Sequence, residues 1–340
     1  MSTVGIILLL LAGFAQGSFG LGMKKMSPLS WEAFWLIYSV FAMLIIPFVW
    51  GFSSFSGFFE AIASTDIKVI SEAILLGFLW GIGGIMFGMS VSYVGISITN
   101  GVVMGLAGGL GAIIPLFGID GVTEEPSFIY VILGVAIMVA GVALSAYSGL
   151  LREKEQRVGE VSSQTNNSSF MKGMVIVFVC GILSSLLNIG FEEANPIMEN
   201  AKALGAADSA SSIPARATVV LGGLLMNAGY ACVLLCKNHT WGDLALKEAG
   251  SGKSFLWAAI TGFLWFLPLG LSGIVSVSIG ELGNVITWPV MLALSLIFGN
   301  VWGYVTGEWK GTKHSFVYMI IASVILIAAC MILTFKDALC

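Results

Sequence analysis

Gly77-Phe78-Leu79-Trp80 recurs as Gly262-Phe263-Leu264-Trp265, and the register then holds. Gly88 matches Gly273 and Gly95 matches Gly280, at the same offset of 185 residues (77 to 262). In a chain of 340 residues an offset near half the length points to two copies of one unit. Both copies lie within long apolar stretches. Duplicated membrane halves are the build of many secondary transporters, whose substrate site lies between the halves.

Composition agrees with a bilayer setting. Apolar residues make up 57% of the chain and charged residues 10%, and the mean hydropathy is +0.97. A soluble domain carries about 25% charged residues, so the lipid bilayer is the expected solvent. The net charge of −4 shows no basic stripe, so nucleic acid is not an expected partner. The five cysteines have neither metal-ligand spacing nor a disulfide framework. No Walker loop, nucleophile elbow or paired-acid constellation is present, so nothing supports an enzyme, a cofactor or a metal site.

A span of the hydrocarbon core takes ~20 helical residues. Ten stretches qualify: 3–22, 31–51, 70–92, 97–116, 127–149, 173–191, 213–236, 255–279, 282–305 and 315–335. The first has no Lys or Arg before it and reads as a retained helix rather than a signal peptide. The polar run from Arg152 to Ser169 separates five spans from five. The expected organisation is a first repeat over 1–150, a cytoplasmic linker over 151–172 and a second repeat over 173–340. Five spans per half is an odd number, so the second copy enters from the opposite side and the fold class is an all-α inverted repeat. The odd-numbered loops, from Lys24 and Lys25 to Lys310 and Lys313, hold eleven of the 15 basic residues. They are expected in the cytoplasm, with both termini periplasmic. The sequons at Asn166, Asn167 and Asn238 then face the cytoplasm and stay unmodified. A monomer suffices for this build, and the sequence leaves the oligomeric state open.

Three stretches carry a resemblance: Lys24-Lys25 with Ser30-Trp31-Glu32-Ala33-Phe34-Trp35; Leu79-Trp80-Gly81-Ile82-Gly83-Gly84 running on to Tyr93-Val94-Gly95-Ile96-Ser97; and Gly307-Glu308-Trp309-Lys310. Together, and in this order, they resemble the bacterial L-rhamnose–proton symporter family of the drug/metabolite transporter superfamily. The resemblance implies ten helices, alternating access and cation-driven import of L-rhamnose or a related 6-deoxy sugar through a bacterial inner membrane. The chain departs from enteric members at Asn188 to Pro196, with Glu192-Glu193, and at Glu281 with Asn284. Alternatives of other classes are a metabolite or drug exporter and a non-transporting membrane sensor.

Trp80 and Trp265 fall near the middle of their spans, whereas tryptophan normally sits at the interface. A mid-depth Trp needs a partner for its N–H, and its apolar face can pack on the C–H face of a sugar. Plain packing against neighbouring helices is the alternative. A neutral sugar also needs donors and acceptors without fixed charge, which amides supply. Gln16 and Asn188 occupy comparable places in spans one and six, and Asn100 and Asn284 in spans four and nine; these join the two tryptophans as candidate substrate residues. Asn227 and Asn300 are weaker candidates, and interhelical hydrogen bonding is the ordinary use of all six. The span centres lack ionisable residues. Glu192 and Glu193, closing span six, and Glu281, in the bend between spans eight and nine, are the candidates for cation coupling. A protonatable carboxylate would couple H⁺; a carboxylate with amide and backbone oxygens would hold Na⁺. Arg216, just inside span seven, is expected to pair with an outer-loop acid. Gly101, Gly105 and Gly109 make a close-packing face, and Pro268 and Pro289 are expected to interrupt spans eight and nine.

Overall fold

The computed structural model describes residues 2–156 and 167–335. Arg157, the sequon at Asn166, Lys336 and Cys340 lie outside the described residues. Among the described residues all regular structure is helical, and ten helices are long and apolar enough to cross a membrane. They are α1 Thr3–Met23, α2 Trp31–Ser54, α3 Ile67–Val94, α4 Ile96–Phe117, α5 Phe128–Gln156, α6 Asn167–Glu193, α7 Asp208–Asn238, α8 Ser251–Ile279, α9 Gly283–Val305 and α10 Lys313–Thr334. Large apolar side chains such as Phe178, Val233 and Val324 stand exposed on the outside of the bundle, where a lipid solvent places them.

Most helices overrun the apolar limits read from sequence, because helix continues into polar flanks. The expected linker is shorter for this reason: Arg152 to Gln156 belong to α5, and α6 already begins at Asn167. Helix starts carry local signals. Ser30 accepts from the Ala33 N–H at the start of α2, and Asp66 from the Lys68 N–H at the start of α3. Within α2, residues Phe41–Ile45 form a π turn. Pro47 follows it, lacks an N–H and crowds the carbonyl four residues back. Contrary to expectation, Pro268 and Pro289 do not break α8 or α9; both lie inside continuous helix. Neighbouring helices in a bundle hold such a helix together despite the lost hydrogen bond.

The repeated strings have structural counterparts. A Cβ on Gly77 would strike the carbonyl oxygen of Val219, so α7 crosses α3 backbone to backbone. A Cβ on Gly262 would lie 2.8 Å from the Cβ of Phe41 and 3.1 Å from the carbonyl oxygen of Tyr38, where α2 crosses α8. Gly95 ends α3 with φ +83°, and Gly280 ends α8 with φ +87°, a region that glycine enters without a Cβ penalty. Packing partners also exchange between the halves: α3 and α4 lie against α6, while α8 and α9 lie against α1. This exchange is compatible with an inverted repeat. The glycine face of α4 packs on α5, with Gly101 at Ala146 and Gly109 at Val139.

Loops after odd-numbered helices gather on one face of the bundle, the odd-loop face. Those after even-numbered helices gather on the other, the even-loop face.

Candidate functional site

The expected site residues fall at three depths. Trp80 and Trp265 lie at the middle of α3 and α8, and they meet: their ring centroids are 5.3 Å apart with planes tilted by 33°. Tyr38 of α2 presents an edge to Trp265 at 6.4 Å. Gly223 of α7 makes room for Trp80, because a Cβ there would lie 2.7 Å from the indole. Trp265 is buried and Trp80 half-buried. Neither indole N–H meets an acceptor among the described residues, so the buried partner expected for each is not seen. Asn227 plays a different part. It accepts the Trp35 N–H at 3.1 Å and donates to the Gly223 carbonyl, tying α7 to α2.

Toward the even-loop face a polar network crosses the bundle. Asn284, in the first turn of α9, donates to Glu192 Oε2 at 2.8 Å and accepts from Arg216 at 2.9 Å. Asn195 donates to the other oxygen of Glu192 at 2.7 Å. Asn188 donates to the Gly111 carbonyl of α4 at 2.6 Å, joining the two halves of the chain. Arg216 is 3% exposed, and its guanidinium lies 4.3 Å over the Phe191 ring. Its Nε and one terminal nitrogen have no partner among the described residues, nor does the nearby Ser212 hydroxyl. Gly273 leaves the space these groups occupy. Arg216 therefore does not pair with an outer-loop acid. It lies two turns into α7, beyond the reach of the loops, and its link to a carboxylate runs through the amide of Asn284. A cavity of about 490 Å³ opens from the even-loop face onto Glu192, Asn195 and Asn284. Glu193 and Glu281 are exposed; Glu281 lines the cavity mouth, whereas Glu193 points away from the network on its helix.

Toward the odd-loop face a second cavity contains Gln16, Asn100 and Asn300. Gln16 and Asn100 are thus separated from Asn188 and Asn284, although each pair occupies comparable helix positions. The mouth of this cavity is crossed by Glu308, which binds Lys24 at 3.0 Å and Arg152 at 3.0 Å. Burial raises the Glu308 pKa, but the Lys24 hydrogen bond and the charges of Lys24 and Arg152 outweigh it and hold the carboxyl below its ordinary value. Arg152 also stacks over Trp309 at 4.8 Å.

Two contributors escaped the sequence reading. Trp288 donates to the Ala107 carbonyl at 2.9 Å and faces Phe191; its position one turn after Asn284 was the available signal. The place of Arg216 in this network is the other, since the sequence points it to an outer-loop acid; a lone arginine within an apolar run is its signal.

Comparison with known proteins gives a consistent result. A relative from Yersinia pestis (strain Pestoides F), named an L-rhamnose-proton symporter, is 26% identical over 333 residues, covering 96% of this chain and 95% of the relative. One of the same name from Yersinia pseudotuberculosis serotype O:1b (strain IP 31758) matches equally. A solved crystal structure superposes with a TM-score of 0.56 at 10% identity, covering 98% of this chain and 99% of its own; this likeness concerns the fold alone. The family model described as L-rhamnose-proton symport protein (RhaT) matches residues 1–338. These relatives are transporters and not enzymes. With that match running over nearly the whole length, this multi-pass membrane protein belongs to the L-rhamnose-proton symport protein (RhaT) family.

Proposed function

We propose that this protein imports L-rhamnose together with a proton through the bacterial inner membrane, by alternating access between two inverted five-helix halves. The observation that carries the reading is the Glu192–Asn284–Arg216 chain. It places one carboxylate within a span, at the floor of a cavity open to the even-loop face. The distribution of Lys and Arg supports a periplasmic even-loop face and periplasmic termini.

Glu192 takes the proton. In the ionised state it accepts from Asn284 and Asn195, and Asn284 turns its carbonyl oxygen to Arg216. Protonation removes the negative charge that this arrangement serves, so the network must rearrange. A ligand shifts a conformational equilibrium only through different affinity for its states, and this network supplies the difference. Sodium is disfavoured at the same carboxylate by the guanidinium one amide away. The sugar binds between this network and the Trp80–Trp265 pair. Gly273 beside Arg216 is eight residues from Trp265 on α8, about 12 Å along the axis. Indole faces pack on sugar C–H groups, and the free indole N–H groups donate to hydroxyls.

The test is Glu192→Gln in membrane vesicles. Uptake driven by a pH gradient is expected to vanish, while exchange of labelled for unlabelled L-rhamnose continues. Retention of gradient-driven accumulation in that variant overturns the proposal.

A further inference from the structure

The cavity behind Glu308 encloses about 390 Å³ between α1, α4 and α5 of the first half and α9 of the second. Small-molecule sites span roughly 300–1,000 Å³. Its surroundings hold four buried polar atoms without a protein partner among the described residues: Gln16 Oε1, Asn300 Nδ2, Arg152 Nε and Trp309 Nε1. Buried donors and acceptors are costly to leave unmatched; these four belong to side chains that line the cavity, and rotation of those side chains would turn them to a common polar guest. Three are donors and one is an acceptor. Among the residues lining the cavity, the Arg152 charge is matched by Glu308. What remains is a set of neutral amides, an indole N–H and a guanidinium N–H. Such a set suits a neutral polyhydroxylated molecule, whose hydroxyl and ring oxygens accept from the three donors while a hydroxyl donates to Gln16.

We infer that this cavity is a second, inner holding station for the sugar, separate from the Glu192 network and closed toward the odd-loop face by the Lys24–Glu308–Arg152 bridge. The inference rests on the reading of this protein as an L-rhamnose carrier. Its placement follows the duplicated build. Gln16 and Asn100 lie on one side of the tryptophan pair, and Asn188 and Asn284 on the other. A sugar moving from the tryptophans toward the odd-loop face meets the first pair of amides, joined there by Asn300. No carboxylate in this station is free of cationic partners, so the sugar waits there without the coupled proton.

The experiment measures the half-saturating L-rhamnose concentration at each face, using right-side-out and inside-out membrane vesicles, for Asn300→Leu and Trp309→Phe. Trp309→Phe removes the N–H with the five-membered part of the indole and keeps an aromatic ring beneath Arg152, which guards against loss of folding. Each variant is expected to raise the value about fivefold at one face, the effect of losing one hydrogen bond, and to leave the other face unchanged. An equal rise at both faces, or no rise at either, overturns the inner station while leaving the transport reading intact. An unaltered protein that neither binds nor accumulates L-rhamnose overturns the transport reading, and the station with it.

Discussion

Asn284 has a side chain with one carbonyl oxygen and one amino group, and the structure uses both at once. The oxygen faces Arg216 and the amino group faces Glu192. An aspartate could not donate, and a leucine could do neither. Replacing it with leucine leaves a guanidinium with 3% exposure and no hydrogen-bond acceptor. Leaving a buried charged group without its hydrogen bond costs about 1–3 kcal/mol. Asn284→Leu is therefore expected to lower the thermal unfolding midpoint by several degrees in detergent, with or without sugar; an unchanged midpoint would show that Arg216 finds another acceptor. Part of this site was legible in sequence. Amides and acids inside apolar spans are expensive and conspicuous, so Asn188, Glu192 and Asn284 could be named. The partner of Arg216 could not, because it lies 68 residues away along the chain and depends on which face of α9 turns inward. The same uncertainty of helix phase hid the difference between Glu192, inside the network, and its neighbour Glu193, outside it.

At the scale of helices, the repeated Gly-Phe-Leu-Trp string serves two ends. Its glycine allows a crossing, and its tryptophan three residues later reaches the centre. The crossing of α3 and α7 is glycine on both sides: a Cβ on Gly77 would meet the Val219 carbonyl, and one on Gly222 would meet the Ile74 carbonyl. Neither obstacle is a flexible side-chain tip, so the helices themselves must separate. Gly77→Ala is expected to reduce folded yield and stability by about 1–3 kcal/mol, the range of an overpacked core. Gly88→Ala, with open space around its added methyl, should be close to neutral. Equal stability of the two variants would remove the crossing as the reason for the glycine. Ten spans were legible because lipid demands long apolar helices. The fates of Pro268 and Pro289 were not, since neighbouring helices decide whether a proline breaks a span. Nor did matched positions announce a shared site: Gln16 and Asn100 lie toward the odd-loop face and Asn188 and Asn284 toward the even-loop face, as an inverted repeat would distribute them.

Across the whole molecule, the two halves are joined differently at the two faces. Near the even-loop face Asn188 reaches Gly111 through buried, neutral hydrogen bonding. At the odd-loop face the join is ionic and partly exposed: Glu308 of the second half holds Lys24 and Arg152 of the first. In the alternating access proposed above, opening that face has to part these charges, so their strength biases which side is closed. The pH dependence follows from the lowered pKa of Glu308. A carboxylate held below its ordinary value of 4.5 contributes fully above that value. The contribution fades only as pH falls through the depressed value. The bridge is therefore constant around neutrality, and any pH dependence of uptake there belongs to another group. Glu308→Gln removes the ion pairs at every pH. Exposed pairs are worth up to ~1 kcal/mol, so amide hydrogen exchange over residues 96–104, beside the inner cavity, should quicken about two- to fivefold at neutral pH in that variant. The unaltered protein should approach the variant only below about pH 4.5. Identical exchange in the two proteins at neutral pH would mean that packing, and not this bridge, holds the odd-loop face shut.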